Sequence, residues 1–166
     1  DERYGRVDPG RPVFPQAEAL LSKASTVLGL DGTKMSKSKG NVIELGMDAD
    51  TTAKLIRKAV TDSNRQITYD PDHRPEVSNL LMLASLCTGR DPVEIADEIG
   101  DGGGGGLKKL VTEAVNEFFA PIRARRVELA ADPGYLIDVL RKGNARANEV
   151  GDATLAEVRA AMNMVY

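Results

Sequence analysis

Lys34, Ser36, Lys37, Ser38 and Lys39 crowd three ammonium groups and two hydroxyls into one short stretch, with Gly32 before it and Gly40 after it. Glycines at both ends give such a loop hinge freedom. Hydroxyls and backbone amides supply donors, and the lysines supply charge. This is equipment for holding a polyphosphate whose charge changes during a reaction, because a positioned lysine stabilises developing negative charge without transferring a proton. The stretch is not a P-loop, since the spacing G-x-x-x-x-G-K-[ST] is absent. A solvated, lysine-rich surface loop has the same composition.

Two further basic neighbourhoods follow. Lys54, Arg57, Lys58 and Arg65 form one, opposed only by Asp62; Lys108, Lys109, Arg123, Arg125 and Arg126 form the other. Either suits nucleic-acid phosphates, and either is equally an ordinary solvated helix face. Cys87 is the single cysteine, which excludes an internal disulfide and a cysteine-rich zinc site. It falls in an apolar run and reads as a core residue. His73 lies in a polar, proline-flanked loop, and no carboxylate cluster reads as a metal cage. Asp62 and Ser63 read as a turn or cap.

The elements that must position these groups are mostly helical. Up to Asp50 the chain is irregular, with prolines at 9, 12 and 15 and glycines at 5, 10, 29, 32, 40 and 46, a density that punctuates loops and short strands. A turn or two of helix is expected at Gln16–Ala24. Beyond Asp50 helix follows helix. Thr51–Asp62 carries Leu55, Ile56, Ala59 and Val60 on one stripe, and Val77–Cys87 is nearly all apolar before Gly89. Asp91, Pro92 and Glu94 open a helix that stops at Gly100. The run Gly102–Gly106 reads as a flexible link. Leu107–Leu129 has the strongest helical period, with a kink or break expected at Pro121. Asp132 and Pro133 then start a short helix to Gly143, lined by Tyr135, Leu136, Val139 and Leu140, and a last helix runs to about Met162.

The whole has 166 residues, 42% hydrophobic and 28% charged, a length suited to one domain or one domain plus a fragment of another. That apolar fraction excludes a wholly disordered chain. With 3 Phe, 4 Tyr and no Trp, the core must come from Leu, Val, Ile and Ala. The net charge of −3 excludes an all-over basic coat but not a local basic surface. No segment reaches the roughly 18 apolar residues of a membrane span, and the start is unlike a signal peptide, so a cytoplasmic protein with no membrane partner is expected.

Lys34-Met35-Ser36-Lys37-Ser38 reproduces the KMSKS signature of class I aminoacyl-tRNA synthetases. Ala59-Val-Thr-Asp-Ser63, Tyr69-Asp-Pro71 and Arg74-Pro-Glu-Val-Ser-Asn-Leu-Leu81 resemble stretches of bacterial tryptophanyl-tRNA synthetases. So does the tail, through Ala120-Pro-Ile-Arg-Ala-Arg125 and Thr154-Leu-Ala-Glu-Val-Arg-Ala-Ala-Met162. A tyrosyl or other class I enzyme shares KMSKS but not the AVTDS and VSNLL stretches. The resemblance runs from about Arg3 to the end.

The resemblance implies a mainly α fold, a helical bundle preceded by the C-terminal edge of a Rossmann-type catalytic domain. Residues 1–50 would be that edge, with the KMSKS loop, and residues 51–166 the helical anticodon-binding domain. Lys34 and Lys37 would be catalytic, stabilising pyrophosphate as the tryptophan carboxylate attacks the α-phosphate. Met35, Ser36 and Ser38 would join them in binding ATP, with Lys39 outside the motif. Lys54, Arg57, Lys58 and Arg65 would meet tRNA-Trp. Mg2+ would accompany ATP, with no dedicated site here, and the parent would be a homodimer. The first class I signature and the tryptophan pocket are not found in these residues, so the chain alone is expected to be inactive. A second reading is a stand-alone helical tRNA- or protein-binding module without catalysis, for which the intact lysines have no evident use.

Overall fold

In the computed structural model the described residues are 13–22, 24 and 26–164. They form α1 (Ala49–Lys58), α2 (Pro75–Thr88), α3 (Pro92–Ile99), α4 (Gly103–Ala130) and α5 (Pro133–Ala161), with 3-10 turns at Lys37–Lys39 and Gly100–Gly102. The described residues are mainly helical. The short strands that the glycine and proline pattern allows before Asp50 are not formed among them, where a lone antiparallel bridge joins Leu28 to Lys34.

Helix starts follow the capping chemistry. The Asp48 carboxylate accepts the Thr51 amide at 2.8 Å, Asp91 accepts Val93 at 2.8 Å and Asp132 accepts Tyr135 at 2.9 Å. Pro75, Pro92 and Pro133 each occupy a first helical position, where no amide is needed. Gly89 ends α2 at φ +74, a left-handed conformation that a Cβ would strain.

Leu21–Glu128 is one compact unit, and a second gathers residues from both ends of the chain, of which 13–20 and 129–164 are described. The first unit is built on Ile56 and Ala59 of α1, Val77, Leu80, Leu81 and Ala84 of α2, Ile95 and Ala96 of α3, and Leu107, Val111, Ala114 and Val115 of α4, all buried. Ile67, between α1 and α2, completes this core, and burying each large aliphatic side chain contributes about 1.5–3 kcal/mol. Cys87 is half-buried at the core's edge rather than inside it, and burial pushes its thiol pKa up.

Four expectations are corrected. The described residues of Gln16–Ala24 form no helix, and Leu20 and Leu21 are exposed; so short a segment is marginal without a surface to bury its stripe. Lys23 lies outside the described residues. The glycine run is not a link: Gly103–Gly106 is the first turn of α4. Gly103 takes φ +66 and donates its amide to the Arg65 carbonyl at 2.9 Å, while fully buried Leu107 anchors the next turn, so packing overrides weak propensity. The helix passes Pro121 unbroken, because Phe119 packs on the core before it and Arg123 bonds to Asn116 Oδ1 and Thr52 Oγ1 after it. Finally, α5 continues through Gly143 and Gly151, where two helices were expected. A single interior glycine weakens a helix by about 1 kcal/mol without stopping it. None of its residues is buried, so the stripe of Tyr135, Leu136, Val139 and Leu140 is amphipathic but not core.

Candidate functional site

The lysine loop is a short excursion from a rigid base. Gly29 donates to the Thr33 carbonyl at 2.8 Å, Gly32 to the Gly29 carbonyl at 3.0 Å, and Leu30 to the Asn41 carbonyl at 3.0 Å. Gly32 sits at φ +75, and a Cβ there would lie 2.8 Å from Glu76 Cγ, so both conformation and space require glycine. The Asp31 carboxylate accepts the Thr33 amide and the Asn41 carboxamide, at 3.0 and 2.8 Å. The Asn41 donation, first, and the Thr33 amide hold its pKa below the ordinary carboxylate range.

Above this base stand the predicted chemical groups. Lys37–Lys39 makes a 3-10 turn that Gly40 closes at φ +65. Ser36 Oγ and Ser38 Oγ lie 2.8 Å apart and share a hydrogen bond. Lys39 turns back, its Nζ donating to Thr33 Oγ1 at 3.2 Å. Lys34 and Lys37 are exposed, and their ammonium groups make no hydrogen bond or ion pair with the described residues. The five KMSKS residues are thus together on one loop, with two of the three neighbouring lysines available to an anion.

The base is clamped from the helices. The Asn79 carboxamide of α2 grips Leu28 at both backbone groups, accepting its amide at 2.9 Å and donating to its carbonyl at 3.1 Å. Val60, just past α1, donates to the Leu30 carbonyl at 2.8 Å. Behind them Arg74 makes a bidentate pair with Asp62, at 2.8 and 2.9 Å, and donates to the Gln66 carbonyl and Thr68 Oγ1. That pair, foremost, draws the Asp62 pKa down. Asp62 is therefore a structural turn residue, tied across to the start of α2. No role was read from sequence for Asn41, Asn79, Asp31 or Arg74: Asp31 and Asn41 stood only in the turn-forming Asp-Gly and Gly-Asn pairs at the two ends of the loop, and Arg74 and Asn79 only within the stretch Arg74–Leu81.

Two of the concavities beside these elements involve the residues singled out from sequence. An apolar cavity of about 220 Å³ is lined by Met35, Leu30, Ile43, Leu86, Cys87 and Phe118, among others. A larger, open groove of about 740 Å³ is lined by Arg57, Lys108 and Lys109 beside Gly104 and Gly105. It joins one residue of the first basic neighbourhood to two of the second. Lys54 and Lys58 share an exposed face of α1 with Arg57 but do not line the groove, and the Arg65 guanidinium points to the Asp101 carbonyl at 3.5 Å. Arg123 is not a free cation: it bonds to Asn116 and Thr52 and lies 5.9 Å from the Phe119 ring centre, joining α4 to α1. Exposed His73 pairs with Asp70 at 3.0 Å. Among the described residues no group of three or more His, Cys, Asp or Glu side chains could hold a metal ion, and no helix is long and apolar enough to cross a membrane.

The family model described as "tRNA synthetases class I (W and Y)" matches residues 2–120, which include the whole lysine loop and every residue that clamps it. The chain belongs to this family. Within it, the chain is similar to tryptophan–tRNA ligase 1 of Streptomyces coelicolor, 35% identical over 170 residues that cover 99% of this chain and 48% of that protein. It is also similar to the tryptophan–tRNA ligase of Thermosynechococcus vestitus, 40% identical over 156 residues, covering 90% of this chain and 47% of that one. The tryptophanyl-tRNA synthetase from Campylobacter jejuni, solved with ADP and tryptophan, superposes with a TM-score of 0.65 at 26% identity, over 92% of this chain and 48% of that one. The Mycoplasma pneumoniae enzyme gives 0.68 at 23% identity, over 86% and 45%, a likeness of fold. The chain spans about half the length of the curated relatives it matches.

Proposed function

We propose that this chain is the part of a tryptophan–tRNA ligase that closes on ATP and meets tRNA-Trp. The observation that carries the reading is the pair Lys34 and Lys37, unpartnered and exposed on a loop whose base is fixed by hydrogen bonds. In the activation step a tryptophan carboxylate oxygen bonds to the α-phosphorus of ATP, and the bond to the bridging oxygen breaks. Pyrophosphate leaves with the electron pair. Lys34 and Lys37 stabilise that growing charge, while Met35, Ser36, Ser38 and nearby amides hold the nucleotide. A tRNA-Trp hydroxyl then displaces AMP from the adenylate. Mg2+ travels with ATP in this reading, as use of ATP by the family implies.

Residues 1–50 serve as the edge of the Rossmann-type catalytic domain and 51–166 as the anticodon-binding domain. Lys54, Arg57, Lys58 and Arg65 are its tRNA contacts, and Lys108 and Lys109 extend them through the shared groove. The tryptophan pocket and first class I signature are supplied by residues outside these 166. The test is tryptophan-dependent ATP–pyrophosphate exchange by the chain alone, and again after adding a separately made N-terminal half of a tryptophan–tRNA ligase. Silence alone and recovery on mixing are expected. Exchange by the chain alone would place a complete active site within it. No exchange in the mixture, with salt-sensitive tRNA binding retained, would leave the stand-alone binding module instead.

A further inference from the structure

We propose that Asn41 is the positioning residue of the lysine loop, acting through the Lys34 carbonyl and the Ser36 amide to set where the Lys34 and Lys37 ammonium groups stand. This rests on the reading of those lysines as phosphate-stabilising groups. Asn41 is only 5% exposed, although Lys37–Gly40 immediately before it is exposed throughout. Its side chain offers one acceptor oxygen and a two-donor nitrogen. The oxygen takes the Ser36 amide at 2.8 Å. The nitrogen faces Asp31 Oδ1 at 2.8 Å and the Lys34 carbonyl at 3.2 Å, with Thr33 Oγ1 at 3.4 Å. One carboxamide therefore holds the backbone on both sides of Met35, and the Asn41 main-chain carbonyl closes the circle onto Leu30.

No other side chain satisfies this set. Aspartate keeps the acceptor for Ser36 but brings a second carboxylate against Asp31 and has no donor for Lys34. Leucine leaves the Ser36 amide and the Lys34 carbonyl without their side-chain partner and takes one donor from Asp31. Glutamine needs another methylene, and the available space is fixed by Gly29: a Cβ there would stand 2.3 Å from Asn41 Nδ2 and 2.5 Å from Cγ. Gly29 and Asn41 are thus one device. Losing it displaces the lysines without removing their charge, so the effect falls on the reaction rate, where about 1 Å of misplacement can remove about 100-fold.

Two readouts test this. In the chain alone, Asn41→Ala should speed hydrogen–deuterium exchange at the Ser36 amide by about tenfold or more, while amides of α2 keep their protection. In the complemented exchange assay, Asn41→Ala and Gly29→Ala should each lower kcat by about 100-fold with KM for tryptophan unchanged. Asn41→Asp keeps the acceptor for the Ser36 amide but has no donor for the Lys34 carbonyl, and should likewise lower kcat with KM for tryptophan unchanged. If Asn41→Ala does not fold, Asn41→Asp carries the same comparison. An unchanged rate in a folded variant, or an equal loss in tryptophan affinity, overturns the proposal. Should the unaltered chain give no exchange when complemented, the functional reading falls instead, and the Ser36 amide still decides whether Asn41 holds the loop.

Discussion

Lys34, Lys37 and Lys39 are chemically identical, yet their surroundings divide them. Lys39 is engaged by Thr33 Oγ1, and the other two project without a partner among the described residues. A charge used on the leaving pyrophosphate acts mainly in the transition state. Lys37→Ala is therefore expected to lower the complemented exchange rate by about 100-fold or more with tryptophan affinity kept. Lys39→Ala should stay within about twofold, as expected for an exposed polar contact. Equal losses of rate and tryptophan affinity in Lys37→Ala would assign its charge to ground-state binding. The KMSKS residues were readable from their order alone, because a five-residue string needs no fold to be recognised. Asn41 was not, since a lone asparagine beside a glycine is ordinary turn chemistry until its four contacts are brought around it.

At the scale of elements, caps and stops were legible where one residue decides them. Asp91 and Asp132 receive the amides their positions imply, and Gly89 and Gly100 end their helices at positive φ. The glycine-rich starts and interiors were not legible, because propensity differences near 1 kcal/mol are smaller than the packing of one buried leucine. Gly143 lies inside α5 with open space where a Cβ would go. Gly143→Ala is expected to stabilise the helix by about 0.5–1 kcal/mol, raising Tm by about 1–4 °C in a circular-dichroism melt. Gly104→Ala, by contrast, would place its Cβ 2.8 Å from Thr61 Oγ1 and should not gain that stability. An unchanged or lower Tm for Gly143→Ala would show that the helix needs the glycine.

Across the whole molecule, Asp31, Asp48, Asp62 and Asp70 are held below the ordinary carboxylate range, first by Asn41, Thr51, Arg74 and His73 respectively. A carboxyl whose folded pKa is lowered adds stability above its unfolded value of about 3.9, and that stability is lost as pH falls through the folded value. Urea midpoints should therefore be nearly flat from neutrality to about pH 5 as far as these groups decide, then fall below about pH 4. Asp62→Asn should lower the neutral midpoint and flatten the acid slope; an unchanged slope would remove the Arg74 pair from the acid response. What the sequence by itself determined was local: the KMSKS string, the caps at Asp91 and Asp132, the apolar run of α2 and the apolar period of α4. Each is fixed by residue order within a few positions. Tertiary structure decided what order cannot: that Asn79, 51 residues from Leu28, clamps the loop base, that Arg123 joins helices and is not a free cation, and that a glycine run is helical. Those outcomes depend on which groups, distant in sequence, the packed core brings within hydrogen-bonding distance.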